Sequence, residues 1–199
     1  MKGMLKLGVV LALYATAACV GLAFVYSATS ETIALRAEKD LQDALKELFP
    51  EADGFKEITG SIASPDPGIK FETEYAAQKS NTVIGAALEA SGASYGGPIK
   101  ILAGVGTDGK ITKVKILEHS DTPGLGANAA SPAYYVDKPN NLTFYGQFAG
   151  KSVKEPFEVK NDVMVITAST ITSRAVATAV KAAGDAASGW LAAQTGGAR

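Results

Sequence analysis

Cysteine and histidine are nearly absent from this sequence of 199 residues, which has one of each, Cys19 and His119. A single cysteine cannot form a disulfide within the chain, and one cysteine with one histidine cannot supply the usual zinc ligands. Basic runs are absent as well, because 19 basic residues are spread among 20 acidic ones. Proteins that bind nucleic acid carry a basic patch or stripe. The composition therefore argues against a metal site and against nucleic acid as a partner.

Sequence motifs for several common chemistries are also lacking. No G-x-S-x-G nucleophile elbow occurs, and His119 is the one imidazole that could activate a serine. No lysine-bearing P-loop occurs, which disfavours a nucleoside triphosphate as ligand. Residues 124–129 fit the loose dinucleotide pattern G-x-G-x-x-G/A, but Ser131 and Pro132 interrupt the helix that this pattern requires. We therefore predict no catalytic residue and no Rossmann site.

A long uncharged segment near the N-terminus is the first positive feature. Residues 7–26 carry no charge, and a helix of this length covers ~30 Å, the thickness of the hydrocarbon core of a bilayer. Lys2 and Lys6 precede it and no basic residue follows until Arg36, so residues 1–6 are expected in the cytoplasm. A cleaved signal peptide is the alternative, although its apolar core is usually shorter, ~7–15 residues. We expect a retained single-pass anchor in the cell (inner) membrane, with the main domain outside the cytoplasm.

Helical periodicity marks two further segments. Residues 31–49 place leucine and alanine at helical spacing among charged residues, and Pro50 ends the pattern. We therefore expect a stalk helix over residues 27–50 that continues from the membrane span. Small apolar residues keep the same period over residues 176–191. This second helix is expected to close an extracytoplasmic domain formed by residues 51–199.

Alternating patterns between the two helices predict strands. Residues 71–75 alternate apolar or threonine side chains with glutamate, and residues 99–105 and 111–117 flank a Thr-Asp-Gly turn typical of a β-hairpin. Residues 163–166 are predicted to form a further strand that leads into a C-terminal helix beginning near Arg174. The sum is an α+β fold in which helices flank a largely antiparallel sheet.

Hydroxyl side chains crowd the start of the C-terminal helix. They are Thr167, Ser169, Thr170, Thr172 and Ser173. A serine or threonine often caps a helix by accepting a backbone N–H, which accounts for one or two of them. The alternative is a phosphate site, because the first turn of a helix offers unpaired N–H groups and a partial positive charge. The run therefore indicates either a cap or a phosphate-bearing ligand.

A glycine-rich loop, DTPGLG at residues 121–126, follows the predicted hairpin. Glycine lets backbone N–H groups approach a flat or anionic ligand closely. Proline and glycine together are also typical of a plain tight turn. Spacing alone favours the tight turn.

Together, the two stretches resemble the motifs of a known family. The loop at residues 121–126 is similar to ETPGLG, with Asp121 in place of glutamate, and residues 167–173, TASTITS, are similar to SGATxTS. Both motifs belong to the FMN-binding domain found in the G subunit of the Rnf complex and in a related protein, the C subunit of the sodium-translocating NADH:quinone reductase. Ala168 and Ser169 stand where the family usually has glycine and alanine. The SRAV stretch that begins at residue 173 resembles the Rnf branch more than the quinone-reductase branch.

The resemblance implies a covalently bound flavin. In the family, the last threonine of the second motif carries FMN through a phosphoester bond, and this threonine corresponds to Thr172. The residues implied to bind the cofactor are Thr122, Pro123, Gly124, Leu125, Gly126, Ser169, Thr170, Thr172 and Ser173. The loop would then lie against the isoalloxazine ring, where hydrogen bonds and charge tune the potential of a flavin.

The resemblance also implies a role and partners. The chain would be an electron-carrying subunit of a membrane-bound, ion-translocating ferredoxin:NAD oxidoreductase complex of the Rnf type, and would act as an enzyme only within that complex. Its partners would be the other membrane subunits and a flavin transferase that loads FMN from FAD. Two alternatives remain open: a membrane-anchored flavoprotein of another extracytoplasmic electron-transfer chain, and a non-redox anchored binding module.

Overall fold

The computed structural model describes residues 2–196. Met1 of the predicted cytoplasmic segment and residues 197–199 of the predicted domain lie outside the described residues. Helix α1 (Lys2–Leu48) comes first, two sheets follow, and helix α2 (Thr170–Gly196) comes last.

Helix α1 runs without a break and ends just before Pro50. Within residues 2–196 it is the one helix long and apolar enough to cross a membrane. The chain divides between Gln42 and Asp43 into two compact units, so the last turns of α1 belong to the unit that contains the sheets. The predicted limits of the membrane span and of the stalk stay predictions.

A five-stranded antiparallel sheet forms the body of the second unit. Its strands, in sequence order and also in spatial order, are β1 (Gly54–Glu57), β2 (Ile69–Lys79), β3 (Thr82–Ala93), β4 (Pro98–Gly106) and β5 (Ile111–Glu118). Two short strands, β6 (Tyr135–Asp137) and β7 (Leu142–Thr143), pair in the connection between β5 and α2. This architecture confirms the predicted α+β fold and the predicted hairpin.

Helix α2 covers one face of the large sheet. In β4, Ile99, Ile101 and Ala103 are fully buried, and they share one core with Val176 and Ala183 of α2. Successive side chains of a strand point to opposite faces, so every second residue of β4 meets the helix. The apolar period predicted for the last helix is therefore its core-facing side.

The opposite face of the sheet packs against the end of α1 within the same unit. A Cβ built on Gly104 would lie 3.0 Å from Cδ2 of Leu48 and 3.1 Å from Cε2 of Phe49. Leu48 and Phe49 are both buried. The absence of a side chain at Gly104 therefore provides the space in which Leu48 and Phe49 pack.

Residues 163–166 do not form a strand, and that prediction is wrong. The pairing found there is an isolated bridge between Val159 and Val163. The backbone of Met164 bonds instead to the side chain of Gln147, whose Oε1 accepts from the Met164 N–H at 2.7 Å and whose Nε2 donates to the Met164 carbonyl at 3.1 Å. A side chain thus satisfies the backbone groups that a neighbouring strand would otherwise have satisfied.

Candidate functional site

The glycine-rich loop leaves the large sheet at the end of β5 and folds into a tight turn. The Leu125 N–H donates to the carbonyl of Thr122 at 3.1 Å. Gly124 has a φ of +77°, a left-handed conformation that glycine adopts without strain. A short 3₁₀ helix, Gly126–Ala129, follows. The loop extends from an antiparallel hairpin rather than from the βαβ unit that a Rossmann site requires.

Helix α2 begins inside the hydroxyl run, at Thr170, rather than near Arg174 as predicted. Ala168 has a φ of +60°, so the chain makes a left-handed turn just before the helix. The left-handed region costs an alanine about 1–2 kcal/mol. Thr172 lies in the first turn of α2, which contains no acidic side chain. The N–H groups of a first turn lack helical acceptors, and the helix dipole favours an anion there.

The side chain of Ser173 stabilises the start of this helix through two hydrogen bonds to the backbone. Its Oγ accepts a hydrogen bond from the N–H of Ile166 at 3.0 Å and donates one to the carbonyl of Ser169 at 2.9 Å. Ser173 is fully buried. Of the two explanations for the hydroxyl run, stabilisation of the helix start rather than ligand binding therefore accounts for the Ser173 hydroxyl.

The loop and the hydroxyl run meet at a cleft of about 380 Å³. Small-molecule sites in proteins commonly enclose about 300–1,000 Å³. The lining includes these residues implied by the motifs: Thr122, Leu125, Gly126, Ser169, Thr170 and Thr172. It also includes Tyr95, Asp121, Ala168 and Ile171, which were not among the predicted contacts. Pro123, Gly124 and Ser173 do not line the cleft, so their contacts with a cofactor stay predictions.

Gly126 lies where the two stretches meet. A Cβ built on Gly126 would lie 2.6 Å from Oγ1 of Thr172, 2.7 Å from Cβ of Asp121 and 2.8 Å from its Cγ. A real Cβ atom essentially never lies this close to a non-bonded heavy atom, so any side chain here would force the neighbours apart. The last glycine of the loop motif therefore allows the Thr172 hydroxyl to lie beside the Asp121 carboxyl group.

Asp121 is the buried acid of the site, 6% exposed. Its Oδ2 accepts from the hydroxyl of Ser94 at 2.7 Å, and its Oδ1 accepts from the N–H of Gly96 at 2.6 Å. Burial raises the pKa of Asp121, but these hydrogen bonds and one from Thr172 outweigh burial, and the charge of His119 adds to them. The resulting pKa lies below the usual value for aspartate. The group is therefore a carboxylate at neutral pH.

Apolar side chains form the rim of the cleft. Tyr95 is 72% exposed, Leu125 is 42% exposed and Ile171 is 58% exposed. Tyr95 comes from the connection between β3 and β4, where no motif signals a site residue. Clusters of exposed apolar side chains in a soluble domain mark surfaces that a ligand or a partner covers.

A larger cleft, of about 530 Å³, is a weaker candidate. Arg174, Lys181 and Asp185 of α2 line it together with residues 156–159. Lys181 is already engaged, since its Nζ donates to Asp185 at 2.7 Å and to the carbonyl of Val153 at 2.8 Å. No residue of either sequence motif lines this larger cleft; Arg174 directly follows the second motif. The cleft beside Thr172 is therefore the candidate functional site.

Comparison with known sequences defines the class of this domain. The sequence model of the FMN-binding domain family matches residues 94–185, a range that contains every residue of the cleft lining. A second model, the RnfG N-terminal region, matches residues 1–48. The fold and the cleft thus belong to an FMN-binding domain that follows a long apolar helix.

The chain belongs to the RnfG family, the G subunits of Rnf-type complexes. It is 34% identical over 168 residues to the G subunit of the proton-translocating ferredoxin:NAD(+) oxidoreductase complex of Clostridium ljungdahlii, covering 81% of this chain and 80% of that relative. It is 30% identical to the G subunit of the ion-translocating oxidoreductase complex of Methanosarcina acetivorans, with 92% and 94% covered. It is also 30% identical to the G subunit of the Na(+)-translocating ferredoxin:NAD(+) oxidoreductase complex of Acetobacterium woodii, with 90% and 89% covered. These similarities confirm the family that the two motifs indicate.

Proposed function

We propose that Thr172 carries FMN through a phosphoester bond and that the chain relays electrons as a subunit of an Rnf-type membrane complex. The observation that carries the proposal is the position of Thr172, in the first turn of α2 and in the wall of the cleft shared with the DTPGLG loop. Bound FMN would supply the electron-transfer chemistry. The residues of the chain bind and orient it.

The lining of the cleft suits the two ends of FMN. Ser169 and Thr170 would donate hydrogen bonds to phosphate oxygens, and the first turn of α2 would add its N–H groups and dipole. Leu125 and the rim residues Tyr95 and Ile171 offer apolar surface to an aromatic ring. A phosphate on Thr172 and a ring against the loop would therefore contact both the hydroxyl and the apolar side chains of the lining.

The wider role rests on the relatives and on the N-terminal helix. The relatives are named as subunits of ion-translocating oxidoreductase complexes that act on ferredoxin and NAD(+). In the proposed arrangement Lys2 and Lys6 keep the N-terminus in the cytoplasm, and the FMN-binding domain lies on the other side of the membrane. An ester bond would keep the cofactor on the protein there, where a dissociated FMN would be lost by dilution. A flavin transferase would attach it, with FAD as donor.

Fluorescence in a denaturing gel tests the attachment. The protein is expressed with a flavin transferase, denatured and viewed under ultraviolet light. The wild-type band should fluoresce, and Thr172→Ala should be dark. Thr167→Ala is the matched control, because Thr167 belongs to the same hydroxyl run but does not line the cleft, and its band should fluoresce. A dark wild-type band, or a fluorescent Thr172→Ala band, would contradict the proposal.

Two further experiments test the wider role. Purification in mild detergent from the native membrane should recover the chain with other membrane subunits, and recovery of the chain alone would favour a stand-alone flavoprotein. A reporter enzyme that is active only outside the cytoplasm, fused after residue 199, should be active. If this reporter is inactive, and a second reporter that works only in the cytoplasm is active when fused at the same position, the proposed orientation is reversed.

A further inference from the structure

The acid beside the proposed attachment site is held more rigidly than a surface carboxylate. Ser94 and Gly96 each donate to a different oxygen of Asp121, at 2.7 and 2.6 Å, and both donors lie in the connection that joins β3 to β4. The Thr172 hydroxyl lies beside the same carboxylate, because Thr172 Oγ1 and the Asp121 side chain both flank Gly126. Because the first two donors fix the carboxylate, the position of Asp121 determines which way the Thr172 hydroxyl points.

Thr172 is equally confined, since it is 1% exposed and lies against Gly126. A hydroxyl has one proton and two lone pairs. When the proton is directed at a fixed carboxylate, the lone pairs are directed away from it. The oxygen is then oriented as a nucleophile before any flavin donor arrives, and such orientation lowers the entropic part of a reaction barrier.

We propose that Asp121 is the positioning residue for flavin loading, holding the Thr172 hydroxyl for attack on the phosphorus of the FMN half of FAD. This inference rests on the proposed function. In the step, Thr172 Oγ1 forms a bond to that phosphorus while the pyrophosphate P–O bond breaks. AMP leaves with the bonding electron pair. The hydroxyl proton passes to the Asp121 carboxylate and from there to solvent, so no oxidant or reductant is needed.

The same contact explains why one hydroxyl of the run would be chosen. Ser173 is engaged on both sides by backbone groups, with Ile166 and Ser169 as its partners. Ser169, Thr170 and Thr172 line the cleft. Among their hydroxyls, that of Thr172 lies beside Gly126 together with the Asp121 carboxyl group. Proximity to Asp121 would therefore select Thr172 over Thr170.

The test measures loading rather than electron transfer. Unloaded full-length protein, purified in detergent from a host without the transferase, is incubated with transferase and FAD, and intact mass follows the adduct over time. Asp121→Asn should lower kcat for loading by about 100-fold, the cost of a misplaced reacting group, while KM for the acceptor protein changes less than about threefold. Asp121→Glu keeps a carboxylate, as in ETPGLG, and should load within about tenfold of the wild type.

Ser94→Ala removes one of the hydrogen bonds that hold Asp121 but keeps the carboxylate, so it should slow loading less than Asp121→Asn does. Gly109→Ala is the control for lost stability alone: Gly109 does not line the cleft, and this variant should load at the wild-type rate. Wild-type loading at Thr172 together with an unchanged kcat for Asp121→Asn would overturn this inference and leave the proposed function standing. If Asp121→Asn melts below the assay temperature, a folded Asp121→Glu protein that does not load would overturn it. A wild-type protein that gains no flavin would overturn the proposed function itself.

Discussion

Replacing Gly126 by alanine should both destabilise the domain and slow flavin loading. The new Cβ would lie 2.6 Å from Oγ1 of Thr172 and 2.7 Å from Cβ of Asp121, so one of these groups must move. Overpacking of this kind costs about 1–3 kcal/mol in the free energy of unfolding. For a domain of this size the melting temperature should fall by roughly 2–12 °C. A displacement approaching 1 Å at the reacting hydroxyl should slow loading by about 100-fold.

Two measurements on the Gly126→Ala protein check these values. Trp190, the single tryptophan, packs partly buried against the core, so its fluorescence follows unfolding in denaturant and heat. Intact mass follows loading by transferase and FAD. Gly109→Ala is the matched control: Gly109 has a φ of +72° with open space around it, so alanine costs about 1 kcal/mol of stability without touching the cleft. A stable Gly126→Ala protein that loads at the wild-type rate would refute the reasoning, as would an equal loss of loading in Gly109→Ala.

Three further predictions concern the same region. Ser173→Ala should lower the free energy of unfolding by about 1–3 kcal/mol, because the buried Ile166 N–H loses its acceptor; a denaturant titration measures this, and no loss would contradict the stabilising role. Ala168→Gly should raise the free energy of unfolding by about 0.5–1 kcal/mol in the same assay, because relief of the left-handed strain outweighs the greater chain entropy that glycine loses on folding. Ala130→Gly is the control: Ala130 has a φ of −94°, so there is no such strain to relieve and the free energy of unfolding should fall. Because folding lowers the pKa of Asp121, its ionisation stabilises the native state above the unfolded pKa of about 3.9, and this stability is lost as the pH falls through the folded pKa. In melts from pH 7 to pH 3, the advantage of the wild type over Asp121→Asn should therefore be constant above about pH 5 and shrink below about pH 4; a constant advantage down to pH 3 would contradict this.

Elements with strong local patterns could be predicted from the sequence. The apolar period near the C-terminus gives α2, and the Thr-Asp-Gly turn gives the β4–β5 hairpin. Strand β3 has no such signal, because it is rich in alanine and glycine, which have low strand propensity. Its centre, Ala86, Ala87 and Leu88, is fully buried. Tertiary packing against both neighbouring strands, rather than local preference, therefore makes this segment a strand.

The prediction of a strand at residues 163–166 fails for the opposite reason: the local preference is present, but contacts from elsewhere in the fold override it. The branched apolar residues of this segment do have strand propensity, but Gln147, from a distant loop, supplies the hydrogen bonds to Met164. The predicted start of α2, near Arg174, is too late for a related reason. Isolated hydroxyls compete with helix formation, whereas here Ser173 turns its hydroxyl back onto the chain and allows the helix to begin at Thr170.

The candidate site was predicted only in part, because motifs name residues but not their neighbours. The two stretches meet at one cleft, which the resemblance implies. The role of Asp121 depends on its bonds to Ser94 and Gly96, residues well separated from it in sequence. Tyr95 joins the rim by the same connection between strands. These contacts arise from the order of strands in the sheet, which local sequence patterns do not encode.

The most direct test of the central claim is the mass of one peptide. Cleavage after Lys160 and Arg174 releases residues 161–174, which contain all five hydroxyls of the run. From protein made together with its transferase, this peptide should carry the added mass of FMN less one water, and fragmentation should place it on Thr172. An unmodified peptide, or a flavin on another hydroxyl, would contradict the account.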